Sequence, residues 1–480
     1  MLNWLNAILL TFDKCFTRKA SFQWFVVIII GLMIRNDALG VTSIIRELLL
    51  NPVHYHAMLH FFRSSGWNLE TVVAWWIQVV GRCGVLLHEG DMLILVGDGV
   101  KQSKEAKKMP CVKKQYQESG NASKASYTFG HMFGAVGVLA GNMGKLFCIP
   151  LSIRIHDGDA QINEWSKPGI KSESHVVRII RDGSRAAKGL QRSIMLLDRY
   201  YLSVPALTAL IEEEAAAGKP LLSLVMRAKR NPVAYEEPVR KPQRGRPPLK
   251  GKKIKVESLF ESCKDNFVPA QVELYGKEET VLYLCRDLLW GKKLYQKLRF
   301  VLVLHGSIKA IFVSTDLTLS PEQIIRLYGY RFKIECCFRE LKQVIAGFAY
   351  RFWTTAMPKL NKYAKSGIDP LEAVTCSKAK KRISLAYKAI HGFVMASCIA
   401  LGLLQICSLR FSDEINENHF RWLRTRTSLV PSEATTACFM GKLIFRMFAL
   451  RPDLGIIHFI LQRQSSFSGS VNDSDFYMST

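Results

Sequence analysis

Over the first 85 residues, apolar positions recur every three or four: Ile44, Ile45, Leu48 and Leu49, then Met58, Leu59, Phe61 and Phe62, then Val72, Val73, Trp75 and Trp76. That period is helical and predicts a small helical module, with Thr42 or Ser43 capping a helix through Arg46. The texture changes at residue 91. Asp91-Met92-Leu93-Ile94-Leu95-Val96-Gly97-Asp98 reads as a buried strand running into an aspartate. Strands are expected at 127–139 and 146–155, and Ser172-Glu173-Ser174-His175 opens a helix to about Leu190. Ser193-Ile194-Met195-Leu196-Leu197-Asp198 then repeats the first design. Three strands, a helix and a further strand is the order of a ribonuclease-H-like α/β core.

A helix at 203–217 and a strand at 221–226 come next. From Arg227 to Lys255 there are eleven Lys or Arg, two acids and five prolines, the composition of a linker or exposed insertion. Strand-like runs return at 279–285, 300–304 and 308–314. Ser320-Pro321-Glu322-Gln323 places a capping serine, a proline at the first helical position and a glutamine three after the cap. The predicted organisation is a helical module at 1–88 and the first part of the α/β core at 89–226. A basic linker with a β-rich insertion covers 227–308, and a helix completing the core covers 309–350. Beyond lie a helical, apolar region at 351–464 and a polar, disordered tail at 465–480. The first module either grips DNA or braces the core, and the C-terminal helices offer a dimer contact.

At 480 residues with 49% hydrophobic content, the chain can bury two or three substantial cores. Lysine and arginine number 66 against 40 acids, a net +26, which calls for a polyanionic partner: nucleic acid or an anionic membrane. Twelve cysteines without a C-x2-C spacing, most in apolar surroundings, fit reduced thiols in the cytoplasm rather than a zinc ribbon or a secreted framework. No secretory signal is expected. The uncharged run Ala389 to Leu409 is long enough to span a bilayer, but His391, Gln405 and the dense upstream charge favour a buried helix.

The chemistry is densest in the helix after Ser320. Tyr328, Arg331, Glu335 and Lys342 stand at offsets 0, 3, 7 and 14. A heptad drifts by only ~20°, so one helix face carries a carboxylate bracketed by two cations and a phenol. A carboxylate suits a divalent metal, and the cations suit phosphate. Glu340 is a rival acid, but it is offset from this stripe. Asp98 and Asp198 at strand ends would meet Glu335 in the predicted core. Hard oxygen ligands with open positions favour Mg²⁺, with Mn²⁺ substituting. His131, His156 and His305 lie near strands and are expected to be structural.

The Y-x2-R-x3-E-x6-K pattern resembles the signature of cut-and-paste DDE transposases of bacterial insertion sequences. Asp98-Gly99-Val100-Lys101-Gln102, with Met109-Pro110 beyond, and Asp198-Arg199-Tyr200-Tyr201 resemble their two aspartate blocks. The resemblance covers roughly residues 40 to 345, and nothing in the C-terminal third matches. It implies that Asp98, Asp198 and Glu335 hold the metal and that Tyr328, Arg331 and Lys342 contact phosphates at the transposon end. It also implies hydrolysis of DNA at each end, exposing a 3′-hydroxyl that attacks target DNA at the same site. The partners implied are double-stranded DNA and a second copy of the chain, with no membrane, in the bacterial nucleoid. Lys101, in a basic stretch reaching Lys124, and Arg199 are expected on the DNA. Arg244 and Arg246, in Arg244-Gly245-Arg246-Pro247, resemble the core of a minor-groove hook. Trp290 is the aromatic chosen for a flipped base in the insertion. Three alternatives remain from the residues alone: a metal-dependent nuclease or resolvase that cuts without joining, a non-catalytic DNA-binding protein derived from a transposase, and a membrane-associated basic protein.

Overall fold

The computed structural model describes all residues except 117–125, 143, 170–171, 240–246, 275, 362–368, 419–428 and 466–480. Thirteen strands among the described residues join into one mixed sheet, flanked by helices. The centre is parallel: Met92–Ser103 lies beside Ser193–Leu197, and Ser193–Leu197 beside Leu222–Arg227. Parallel neighbours need long crossovers, and helices His175–Gly189 and Val204–Ala217 provide them. Both outer pairings are antiparallel, Tyr127–Asn142 on Met92–Ser103 and Ile308–Ser314 on Leu222–Arg227. Within 227–308, strands Val268–Leu274, Lys277–Trp290 and Gln296–His305 extend this same sheet through Ile308–Ser314.

Asp98 does not end its strand. It is the seventh residue of Met92–Ser103 and pairs with Ala135, because the antiparallel neighbour continues where the parallel one stops. The last parallel pair is Val96 with Leu196, so beyond it one edge of the Asp98 strand is open. The stretch from Lys101 is likewise not a plain loop: Lys101 is on the strand itself, and Lys113 and Lys114 lie on the edge strand Lys113–Tyr116. Lys124, Arg244 and Arg246 lie outside the described residues.

The N-terminal module is five helices, Leu2–Leu10, Lys19–Ile34, Val41–Glu47, His54–Arg63 and Leu69–Gly81. In Lys19–Ile34 every residue from Phe25 to Ile34 is buried, so this helix has almost no solvent face. It packs on Ser377–Arg410, Glu433–Leu450 and Gly455–Leu461, merging the two ends of the chain into one helical layer. Gly40, at φ 66°, caps the third helix in place of Thr42 or Ser43, because the Ser43 hydroxyl is used inside, donating to the Gly40 carbonyl. Ser377–Arg410 is long and apolar enough to cross a membrane, yet 94% of its most apolar window is buried inside the protein. Regular α-helix in the C-terminal region begins only at Ser377 among the described residues, preceded by a short 3₁₀ turn at Pro370–Ala373. The tail from 466 lies outside the described residues.

The helix after Ser320 starts as the capping box predicts. The Ser320 hydroxyl accepts from the Gln323 N–H at 3.2 Å, and the Gln323 side chain accepts from the Ser320 N–H at 2.8 Å. It is not one continuous α-helix to Lys342. Pro321–Gly329 and Lys333–Gln343 are joined by a 3₁₀ turn at Tyr330–Phe332. The heptad register expected of a single α-helix is therefore interrupted between Tyr328 and Glu335.

Candidate active site

Three elements deliver three carboxylates to one place. Asp98 and Asp198 stand each two residues past the last parallel pair, Val96 with Leu196, so they are neighbours across the opening where the Asp198 strand ends. Glu335 arrives from the first turn of Lys333–Gln343, which packs against the Asp98 strand. The Arg331 guanidinium lies between them. Its Nη2 donates to Asp98 Oδ2 at 2.6 Å and its Nη1 to Glu335 Oε1 at 2.6 Å. The backbone N–H of Gly99 gives Asp98 Oδ1 a second donor at 2.7 Å.

One guanidinium does not balance three carboxylates. Burial pushes the Asp98 carboxyl up to about 6; Arg331 and the Gly99 N–H pull it back, while Asp198 and Glu335 push it further up. Arg331 is held above its ordinary value: burial alone would lower it, but Asp98, Glu335 and Asp198 outweigh that. Its Nε is buried with no hydrogen-bond partner. The cluster is therefore short of positive charge, and its donors are the hard oxygens that bind divalent ions. That chemistry fits a metal, although no group of three acidic, histidine or cysteine side chains among the described residues already forms a ligand cage. The arginine takes the contacts a cation would take.

Burial of the Asp98 carboxyl, with the two other acids adding to it, has a cost in stability. A carboxyl raised from an ordinary value near 4 to about 6 favours folding fully below pH 4 and loses that contribution as pH rises through 6. In EDTA at pH 8, Asp98→Asn is expected to be more stable than wild type by up to about 3 kcal/mol, with no difference near pH 4. Denaturant titrations at the two pH values measure this.

The remaining expected residues lie in varied surroundings. Tyr328 is half-buried, its ring 4.6 Å from that of Phe312. Lys342 is exposed two turns beyond Glu335. Arg199 is exposed beside Asp198, and the Lys101 ammonium donates to the Tyr116 carbonyl at 2.6 Å. Glu340 is occupied by Arg339 at 2.7 Å. Trp290 is half-buried at the end of Lys277–Trp290 and is packed against the core. His131 is fully buried between the Tyr350 hydroxyl and the Pro110 carbonyl, and His305 pairs with Glu279.

Asp98 and Asp198 open into a cavity of about 960 Å³, also lined by Lys101, Lys113, Lys114, Tyr116, His156, His175, Tyr200 and Tyr201. Several of these are not legible from spacing. Tyr116 and Tyr127 form an exposed edge-to-face pair at 5.5 Å on adjacent strands, with the Lys114 ammonium 4.5 Å from the Tyr127 ring. Basic and aromatic groups on one rim are what a nucleic-acid strand requires. Behind the third acid, buried Arg35 ties the N-terminal module to the turn that follows the helix of Glu335. Its guanidinium donates to the carbonyls of Ile345 at 2.7 Å and Ala346 at 2.9 Å.

No curated protein and no solved structure matches the chain. A family model described as DDE superfamily endonuclease matches residues 11–267, spanning Asp98 and Asp198 and ending before Glu335. That is more than half of the chain, and with two aspartates side by side at a sheet opening and a glutamate brought to them by a helix, the protein belongs to the DDE superfamily endonucleases.

Proposed function

We propose that this endonuclease is a DNA transposase of the insertion-sequence type, built on a ribonuclease-H-like core, that cuts at the ends of its element and joins the exposed 3′-hydroxyl to target DNA. The observation that carries this reading is the Arg331 bridge. A single cation 2.6 Å from both Asp98 and Glu335, with Asp198 alongside, marks a point where three separate elements converge on positive charge. Asp98, Asp198 and Glu335 would hold Mg²⁺ or Mn²⁺. When bound, such ions activate the attacking oxygen and stabilise the leaving one during in-line displacement at phosphorus.

The protein's own groups do the rest. Arg331, released from the carboxylates, is within reach of a phosphate placed beside them. Lys342, Arg199 and Lys101 continue positive charge away from the acids, Tyr328 stands beside them, and Tyr116 on the cavity wall, with Tyr127 against it, offers ring surface to bases. A net charge of +26 supplies the long-range attraction to DNA. Acting on two ends at once calls for two copies of the chain.

An enzyme of this family that only cuts would share the same acids, so joining is the discriminating step. Incubating the protein with labelled DNA carrying the element's ends, a target plasmid and Mg²⁺ is expected to give cut ends and then joined products. Cut ends that never join would assign the chain to the nucleases, and end binding without cutting would make it a DNA-binding protein.

A further inference from the structure

Behind Asp198 four polar side chains run in one line. The Tyr201 hydroxyl lies 2.8 Å from His175 Nε2, and His175 Nδ1 lies 2.9 Å from His156 Nδ1. His156 Nε2 lies 3.5 Å from Asp182 Oδ2. Asp182 is itself held by Arg185 at 3.0 Å and Arg154 at 3.5 Å. Burial and the adjacent His156 ring keep His175 neutral, with its pKa near 3. Tyr201 and neutral His175 share one hydrogen bond, and His175 and His156 share the next.

The sheet is shaped to admit the two rings. Gly99 and Gly134 are partners across adjacent strands. A Cβ on Gly99 would come within 2.9 Å of His175 Nε2, and a Cβ on Gly134 within 2.2 Å of His156 ring atoms. Successive strand residues face opposite ways, so these rings lie on the face away from the Asp98 carboxylate. They line the same cavity as the two aspartates, and Tyr201, at the open end of the Asp198 strand, joins His175 to the Asp198 turn. Tyr201 is 1% exposed, whereas Arg199 and Tyr200 before it are exposed. Its N–H also closes the turn by donating to the Asp198 carbonyl at 3.1 Å.

We propose that Tyr201, His175, His156 and Asp182 are positioning residues that pin the Asp198 turn beside Asp98 and thereby set the affinity of the acidic cluster for a divalent cation. His175 and Asp182 are seven residues apart on one helix face and clasp His156, which comes just after the strand Lys145–Ile155. The line therefore locks a helix, a strand and the catalytic turn to one another. Outer-layer hydrogen bonds of this kind typically change metal affinity 10–100-fold when removed. The inference rests on the metal-binding reading of the three acids.

The test is calorimetric titration of Mn²⁺ into the full-length protein without DNA, for wild type, Glu335→Gln, Tyr201→Phe, His175→Ala and His175→Gln. Tyr201→Phe and His175→Ala are expected to bind Mn²⁺ about ten-fold more weakly than wild type, with a lowered melting temperature but a protein that stays folded and binds DNA in EDTA at the temperature of the titration. A glutamine amide can donate to or accept from the Tyr201 hydroxyl near the place of Nε2, so His175→Gln is expected to recover most of the loss. Wild-type affinity in Tyr201→Phe alongside weakened Glu335→Gln would overturn the positioning role alone. Should Tyr201→Phe unfold, equal losses in the alanine and glutamine variants would overturn it as well. A wild-type protein that takes up no Mn²⁺ would remove both this inference and the reading beneath it.

Discussion

Glu335→Gln is expected to bind end DNA as wild type does and to lose cutting by at least about three orders of magnitude. The substitution keeps the shape of a side chain that is 44% exposed, so the helix should be undisturbed. Removing negative charge beside a phosphate path does not weaken attraction to DNA. What disappears is one of three anionic oxygen donors, and metal stabilisation of the displaced oxygens is worth several kcal/mol, each ~1.4 kcal/mol being a factor of ten in rate. A gel shift in EDTA and a cleavage time course in Mg²⁺ separate the two quantities. Cutting at the wild-type rate would remove Glu335 from the chemistry and leave the Arg331 contact a surface-helix pair of little energetic weight.

Arg331→Ala is expected to show the opposite signature to Asp98→Asn, lower stability without metal and recovery with it. In EDTA the arginine is the main positive group touching the carboxylates, and deleting one member of a buried pair costs about 3–5 kcal/mol. Glu335 is partly solvated and Asp98 can take up a proton, so about 2–4 kcal/mol is the expected loss. Saturating Mg²⁺ should restore most of it by supplying the missing charge. Denaturant midpoints with and without Mg²⁺ measure this directly. A loss that Mg²⁺ leaves untouched would mean that the guanidinium does not occupy the place of a cation.

The parts of the site legible in the sequence are those set by local pattern. Asp198 ends a short strand flanked by parallel neighbours, and a strand buried on both faces is written as an unbroken apolar run. The capping box likewise fixes the start of the helix that bears Glu335. Asp98 reads as a strand end because the apolar run stops at Val96, while the strand continues through Lys101 to Ser103, held by its antiparallel neighbour. Residue spacing does not record which strand lies alongside.

Arg331 illustrates a second limit. An arginine four residues before an acid reads the same whether it faces phosphate or the carboxylates around it, and here the uncompensated charge of Asp98 and Glu335 decides. The 3₁₀ turn at Tyr330–Phe332 leaves no mark in the residue types, yet it interrupts the α-helix between Tyr328 and Glu335. His156 and His175 meet only because two glycines from different strands lie in register, a tertiary fact without a local signal. The first module admits two readings, and burial of Lys19–Ile34 against the C-terminal helices places its apolar residues in the core.

The central claim is that Asp98, Asp198 and Glu335 act as one centre, and groups acting as a unit show non-additive losses. The most direct measurement is therefore the single-turnover cleavage rate of end DNA in Mg²⁺ for wild type, Asp198→Asn, Glu335→Gln and the double variant. The account predicts that each single substitution abolishes most of the rate and that the double variant is no slower than the worse single one. Losses that multiply, or an Asp198→Asn protein that still cuts well, would contradict it.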